Sequence, residues 1–321
     1  MMKKHITIIG QGRMGTGIAL AFATRQYHVN LIDGKNRSDD EYGIVENNTR
    51  QTLLSNLQTL KKIDYLQADI EDILTRISLS SVLDRESLDG DVIFEAIPEK
   101  PELKIQLFQK ISPMIREDVI LASTTSTIDL KTLKRGLKNP QKSLITHWLN
   151  PAFIIPLVEV AVSKETDPET IKEMTILLES IDKIPVVLKD SPGFIVPRIQ
   201  TLVMNEAARM VQEGIASPED IDRAIKTGFA FRLSSLGMLE FVDLGGLDIL
   251  YYAGEFLSEA FKEGRFKCPE IIKDKMQRGE IGPRTGKGIY DYTNKDINGL
   301  FEKKYSELWQ LHGYMKKKAL F

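Results

Sequence analysis

Near the start of the chain a β-branched run, Ile6-Thr7-Ile8-Ile9, feeds Gly10-Gln11-Gly12-Arg13-Met14-Gly15, and an apolar helical rhythm follows to Tyr27. A strand, three glycines at this spacing and a helix leave few folds open. Gly10 permits the tight turn, Gly12 lets backbone approach a bound group closely, and Gly15 lets the helix pack against its strand. The helix start presents free N–H groups and the positive end of its dipole, which suits a phosphate. His28–Asp33 reads as the next strand and closes on an acid 23 residues after Gly10. In this position Asp33 accepts hydrogen bonds from a ribose 2′-hydroxyl and repels a 2′-phosphate, selecting NAD over NADP. Lys35 and Arg37 follow the acid without replacing it. A purely structural glycine turn and an FAD site share the fingerprint.

The rest of the first half keeps the same grammar. Strand-like runs recur at 91–96, 118–122, 143–148, 157–161 and 184–188, with helical stretches near 41–60, 99–115 and 167–182. Short β-branched strands alternating with helices predict an α/β fold, a doubly wound and mostly parallel sheet covered on both faces. At Asp190-Ser191-Pro192-Gly193 the character changes. Helical segments dominate beyond it, near 194–213, 219–227, 236–262, 268–278 and 297–317, and one strand candidate appears at Gly288–Tyr292. The expected division is therefore 1–190 for dinucleotide binding and 191–321 for a second, all-helical domain.

Composition excludes several classes of protein. With 43 basic and 45 acidic residues the chain has no basic excess to hold a nucleic acid. The single cysteine, Cys268, cannot form an internal disulfide or a thiolate metal cluster, which fits a reducing cytoplasm. No apolar run approaches the ~18 residues of a membrane span, and Ile6–Ile9 is too short for a signal-peptide core. The Lys316–Lys318 run reads as a solvated helix face.

Two features carry chemistry beyond the nucleotide. Glu95-Ala96-Ile97-Pro98-Glu99 leaves the carboxyl end of a strand, where open α/β sheets bind ligands, and is expected to line the nicotinamide side. The candidate cofactor-binding residues are Gly10, Gln11, Gly12, Arg13, Met14, Gly15, Asp33, Glu95 and Lys104. Among four histidines, His147 closes a strand and precedes the turn Leu149-Asn150-Pro151. Twelve residues on, Glu159 interrupts the apolar run 154–160. A carboxylate there is costly unless paired, and a histidine is the natural partner. Such a dyad makes a general base, the acid fixing the imidazole tautomer and stabilising the imidazolium. Ser126, within Ser123-Thr124-Thr125-Ser126-Thr127 after another strand, is placed to hydrogen-bond the same substrate oxygen, or else to cap a turn.

These residues resemble a known family, the NAD-dependent 3-hydroxyacyl-CoA dehydrogenases. The likeness runs over nearly the whole chain: the glycine fingerprint, Asp33, EAIPE at 95–99, the Ser-Thr-Thr-Ser stretch, and the His147–Asn150-Pro151–Glu159 block. It continues through DSPGFIVPR at 190–198, GIASPEDID at 214–222 and GPRTGKGIYDY at 282–292. The resemblance implies a Rossmann-type domain followed by a helical domain that forms a homodimer, and hydride transfer from a 3-hydroxy carbon to NAD. By motif position His147 is the base, Glu159 its orienting partner, Ser126 a ligand to the hydroxyl, and Asn150 a further site residue.

The chain also departs from the acyl-CoA pattern. Pro197 stands where acyl-CoA members carry an asparagine that contacts the reacting oxygen, and proline has no side-chain donor. Residues 37–72 hold four basic residues and eight acids, a poor cradle for CoA phosphates. Pro156 stands where a lysine is usual, as in the branch acting on free hydroxy acids, which includes gulonate and carnitine dehydrogenases and a lens crystallin. Trp148 fits neither subgroup. Three expectations follow: a 3-hydroxyacyl-CoA substrate such as 3-hydroxybutyryl-CoA, a small free hydroxy acid, or an idle crystallin-like NAD-binding protein.

Overall fold

The computed structural model describes residues 4–318, which divide into two compact units between Val203 and Met204. The first unit runs β1 (Ile6–Ile9), α1 (Arg13–Ala23), β2 (Val29–Ile32), α2 (Asp39–Lys62), α3 (Ile70–Leu74), β3 (Ile77–Ser80) and β4 (Val92–Glu95). It continues with α4 (Pro101–Ile111), β5 (Ile120–Ser123), α5 (Leu130–Leu133), β6 (Ser143–Trp148), β7 (Leu157–Val162), α6 (Pro168–Glu179), β8 (Ile184–Lys189) and the start of α7 (Val196–Gln212). The eight strands form one sheet in the order β3-β2-β1-β4-β5-β6-β7-β8. The order reverses between β2 and β4 on either side of β1, and ligands bind such sheets where the order reverses.

The pattern of burial explains the strand sequences. β1, β4 and β5 are buried at every position because helices cover both faces, so their sequences are continuous apolar runs rather than alternating ones. α1 is buried from Gly15 to Ala23 and packs into one layer with Leu53, Leu57 and Leu60 of α2 and Trp148 of β6. Ile9, Ile32, Phe108 and Ile145 belong to the opposite layer. α2 starts at a capping box in which Glu41 N–H donates to Ser38 Oγ and Ser38 N–H donates to Glu41 Oε2.

β3 was not expected. It is an edge strand of sequence Ile-Ser-Leu-Ser with only Ile77 fully buried, so its apolar signal is half that of an inner strand. All pairings are parallel except β6 with β7. The connection between these two is residues 149–156 alone, too short for the crossover of a dozen or more residues that a parallel pair needs.

The second unit holds the rest of α7, then α8 (Pro218–Ala224), α9 (Ala230–Leu233), α10 (Met238–Gly245), α11 (Leu247–Phe261), α12 (Glu270–Gln277) and α13 (Ile297–Lys317). The helix expected over 236–262 is broken at Gly246. The strand expected at Gly288–Tyr292 is absent: the segment forms isolated bridges and wraps Asp243. The buried Asp243 carboxylate accepts from Ile289 N–H at 2.8 Å, Tyr290 N–H at 2.9 Å and the Tyr292 hydroxyl at 3.1 Å. One buried acid thus takes the backbone donors that a strand would have given to a neighbour. Among the described residues no helix is long and apolar enough to cross a membrane.

Candidate active site

The antiparallel register pairs His147 of β6 directly with Glu159 of β7. Side chains at directly opposed positions share a face, with Cβ atoms roughly 5 Å apart. Across that gap His147 Nδ1 lies 2.7 Å from Glu159 Oε2. The spacing of twelve residues therefore has a structural cause, two strand ends and a short connection that folds one onto the other. Glu159 is 1% exposed, and its other oxygen, Oε1, accepts from Ile195 N–H at 2.8 Å and Val196 N–H at 2.9 Å. Burial alone would raise this carboxyl. The His147 hydrogen bond and the two N–H groups outweigh it, holding Glu159 below the usual carboxylate range.

The donors at 195 and 196 reach Glu159 through a backbone detour. Gly193 and Phe194 both have positive φ, +76° and +46°. For phenylalanine this left-handed conformation costs of order 1–3 kcal/mol and persists only where the surroundings enforce it. Phe194 is 4% exposed, its ring centroid 5.4 Å from that of His147, so its burial and the two bonds to Glu159 offset the cost. The Asp190–Arg198 motif thus serves the dyad with backbone donors, which no side-chain pattern announces.

The glycine turn opens a cavity of about 740 Å³. Gly10, Gly12, Arg13, Met14, Asp33, Ala96–Glu99 and Ser126 are among its lining. A Cβ added at Gly10 would sit 2.4 Å from Ala96 O, and one at Gly15 only 1.8 Å from Gly10 O. Both glycines are therefore required by close backbone approach. At Gly12 an added Cβ would meet nothing within 4 Å, and no side chain caps the start of α1. Open space beside an uncapped helix N-terminus fits a pyrophosphate, and the buried Asp33 at the β2 end fits a ribose. Gln11 also lines this cavity, but its side-chain amide is committed to protein: Nε2 donates to Leu31 O at 2.9 Å and Ser80 O at 3.2 Å, and Oε1 accepts from Thr49. It anchors the turn to β2, β3 and α2.

The expected roles of Glu95 and Lys104 need correction. Neither side chain lines the cavity, because they are buried against each other, Lys104 Nζ to Glu95 Oε1 being 2.7 Å. Glu95 also accepts from Ser123 Oγ at 2.6 Å and Ile97 N–H at 2.9 Å. The pair holds the loop whose next four residues form the wall. Glu99, which the sequence marked only as part of the loop expected on the nicotinamide side, does comparable work. Glu99 Oε1 accepts from Thr125 Oγ1 at 2.6 Å, Ser126 N–H at 2.8 Å and Thr127 N–H at 3.1 Å. Burial would raise Glu99, but these bonds and Lys104 hold it below the usual carboxylate range. Its signal in the sequence is an acid just after Pro98 at a strand's carboxyl end.

Asn150 lines a second cavity of about 510 Å³, between α1, α2 and the 150–153 turn. The two cavities share Gln11, Gly12, Arg13 and Val45, and His147 lines neither. The second is walled by Thr16, Asn48, Thr49, Thr52, Asn56 and Phe153, with Arg13 its one charged side chain.

A doubly wound sheet with this glycine cradle and a buried histidine–carboxylate pair defines an NAD-dependent dehydrogenase. The comparisons agree. The family model for the NAD-binding domain of 3-hydroxyacyl-CoA dehydrogenases matches residues 5–191, and that for the C-terminal domain matches 193–292. The chain belongs to the 3-hydroxyacyl-CoA dehydrogenase family, oxidoreductases acting on CH–OH with NAD. It is 29% identical over 292 residues to the probable 3-hydroxybutyryl-CoA dehydrogenase of Bacillus subtilis, covering 91% of this chain and 98% of that one. It is 28% identical over 300 residues to the 5-formyl-3-hydroxy-2-methylpyridine 4-carboxylate 5-dehydrogenase of Mesorhizobium japonicum, covering 93% and 94%. The crystal structure of a 3-hydroxyacyl-CoA dehydrogenase from Archaeoglobus fulgidus is similar with a TM-score of 0.77 and 30% identity, covering 98% of this chain and 99% of that one.

Proposed function

We propose that the protein oxidises the 3-hydroxy group of an L-3-hydroxyacyl-CoA, of the 3-hydroxybutyryl-CoA type, to a 3-oxo group. The observation that carries the reading is the dyad: a buried histidine bonded at 2.7 Å to a carboxylate that two backbone donors lock in place. Bound NAD supplies the hydride acceptor. With Nδ1–H donated to Glu159, His147 keeps Nε2 free to take the hydroxyl proton, and Glu159 balances the imidazolium charge. Ser126, held through its N–H by Glu99, supplies a hydroxyl to the substrate oxygen, and Asn150, on the second cavity, is a further site residue. Gly10, Gly12, Arg13, Met14, Gly15 and Asp33 hold the cofactor, Asp33 through its ribose. If His147→Gln oxidised 3-hydroxybutyryl-CoA at the wild-type rate, the assignment of the base would be wrong.

A second reading takes a small free hydroxy acid, and the second cavity favours it. Its wall mixes amides and hydroxyls with the apolar Val45, Pro151 and Phe153 and has a single cation, Arg13, which suits a small carboxylate and offers little to a polyphosphate. The relative named as a dehydrogenase of a pyridine carboxylate supports this reading. NADH production from 3-hydroxybutyryl-CoA, 3-hydroxybutyrate, gulonate and carnitine separates the readings, since activity confined to one class excludes the other. The protein works as a homodimer in this proposal. α11 leaves Ile249, Tyr252 and Phe256 at 63%, 65% and 70% exposure, an apolar face suited to a second copy. Light scattering that gives a monomer would refute it.

A further inference from the structure

Asp33 by itself would exclude a cofactor phosphorylated on the adenosine ribose. Four basic side chains line the cavity that Asp33 lines, and one of them pairs with it. Arg37, four residues on, donates through Nε to Asp33 Oδ2. The guanidinium's two terminal nitrogens make no hydrogen bond to protein among the described residues, and Arg37 lines the dinucleotide cavity with its side chain 24% exposed. Lys35 and Lys110 line the same cavity, and neither forms an ion pair among the described residues.

Two acids line this cavity, and each already has a cation. Asp33 is paired with Arg37, and Glu99 lies 3.4 Å from Lys104 while accepting backbone donors. Asp39 and Asp40 follow in the first turn of α2 but do not line the cavity. Arg13, Lys35, Arg37 and Lys110 therefore leave it with a surplus of positive charge around a neutralised carboxylate.

We propose that this cavity also takes nicotinamide cofactors carrying a 2′-phosphate, with Arg37 as the residue that sets the balance between phosphorylated and unphosphorylated forms. For the unphosphorylated cofactor, Asp33 Oδ1 remains available to accept from the ribose hydroxyl. For the phosphorylated one, the planar guanidinium offers parallel N–H donors to phosphate oxygens, and its pairing with Asp33 cancels the repulsion that the acid would exert. Arg37 is a specificity-determining residue here and takes no part in the chemistry.

Isothermal titration of the full chain with NADH and NADPH, and with the half-probes 5′-AMP and 2′,5′-ADP, tests this by binding alone. NADPH is expected to bind within about a hundredfold of NADH. Arg37→Ala is expected to weaken NADPH relative to NADH by about tenfold or more, the usual worth of a charge-assisted hydrogen bond. Arg37→Lys keeps the charge without the fork and restores part of the loss. The half-probes must show the same ordering. If NADH binds and NADPH is weaker by more than a hundredfold, or if Arg37→Ala leaves the ratio unchanged, the inference falls and the NAD site stands. If neither cofactor binds, both fall.

Discussion

Replacing Glu159 with glutamine removes one charge from the dyad and almost no volume. The amide oxygen can still accept the N–H groups of Ile195 and Val196, now at 2.8 and 2.9 Å, so the turn into α7 keeps its anchor. What changes is the contact to His147 Nδ1, now 2.7 Å. The amide nitrogen donates where the carboxylate accepted, which places the imidazole proton on Nε2 and blocks its use as a base. The imidazolium formed during turnover also loses its counter-charge. With charge centres about 4 Å apart and an effective dielectric near 20, that interaction is worth about 4 kcal/mol, or roughly 10³ in rate. The surviving hydrogen bond recovers part, so kcat should fall by about 10²–10³, within the range for general bases. The assay is NADH absorbance at saturating NAD and 3-hydroxybutyryl-CoA, with NADH affinity and the melting curve measured alongside. Because the two side chains act as one unit, Glu159→Gln combined with His147→Gln should cost no more than His147→Gln alone. A kcat within a few-fold of wild type, or independent additive losses in the double variant, refutes the dyad as the base.

Other expectations rest on single contacts. Glu159 and Glu99 both have folded-state values below those of the unfolded chain, so the unfolded state binds more protons on acidification. Their stabilisation is present above the ordinary carboxylate range and is lost as pH falls through their lowered values. Urea midpoints should therefore drop between pH 6 and 3 in the wild type, and drop less in Glu99→Gln; parallel curves would contradict this. Lys104→Met strands the fully buried Glu95 carboxylate and should cost about 3–5 kcal/mol, with Glu95→Gln added to it recovering part. A loss under about 1 kcal/mol on urea unfolding would show the pair to be dispensable. Gly15→Ala drives a Cβ into Gly10 O and should lower the melting temperature, whereas Gly12→Ala enters open space and should melt like wild type while binding NADH less well. Equal melting of the two variants would overturn the cradle geometry.

The sheet was largely legible because inner strands such as Ile6–Ile9 and Val92–Glu95 must be apolar on both faces, and glycine spacing marks the one turn where backbone meets backbone. Edge and break points were not. Ile77–Ser80 buries too little to stand out, and Gly288–Tyr292 reads as a strand until Asp243 is seen taking its donors. The same holds within the site. His147 and Glu159 were visible because a charge in an apolar run needs a partner, while Ile195 and Val196 serve through N–H groups that every residue has.

The sequence by itself determined a dinucleotide turn, an acid at the second strand's end and a histidine with a compensating carboxylate, since each is a local demand of sterics or desolvation. Only the tertiary structure decided which groups those residues face. It moved Glu95 and Lys104 from the cavity wall into its support and brought Glu99 onto the Ser126 loop. It also set Arg37 against Asp33, so that the acid's charge is no longer its own. Electrostatic roles depend on distances across the fold, and a linear pattern carries the charges without those distances.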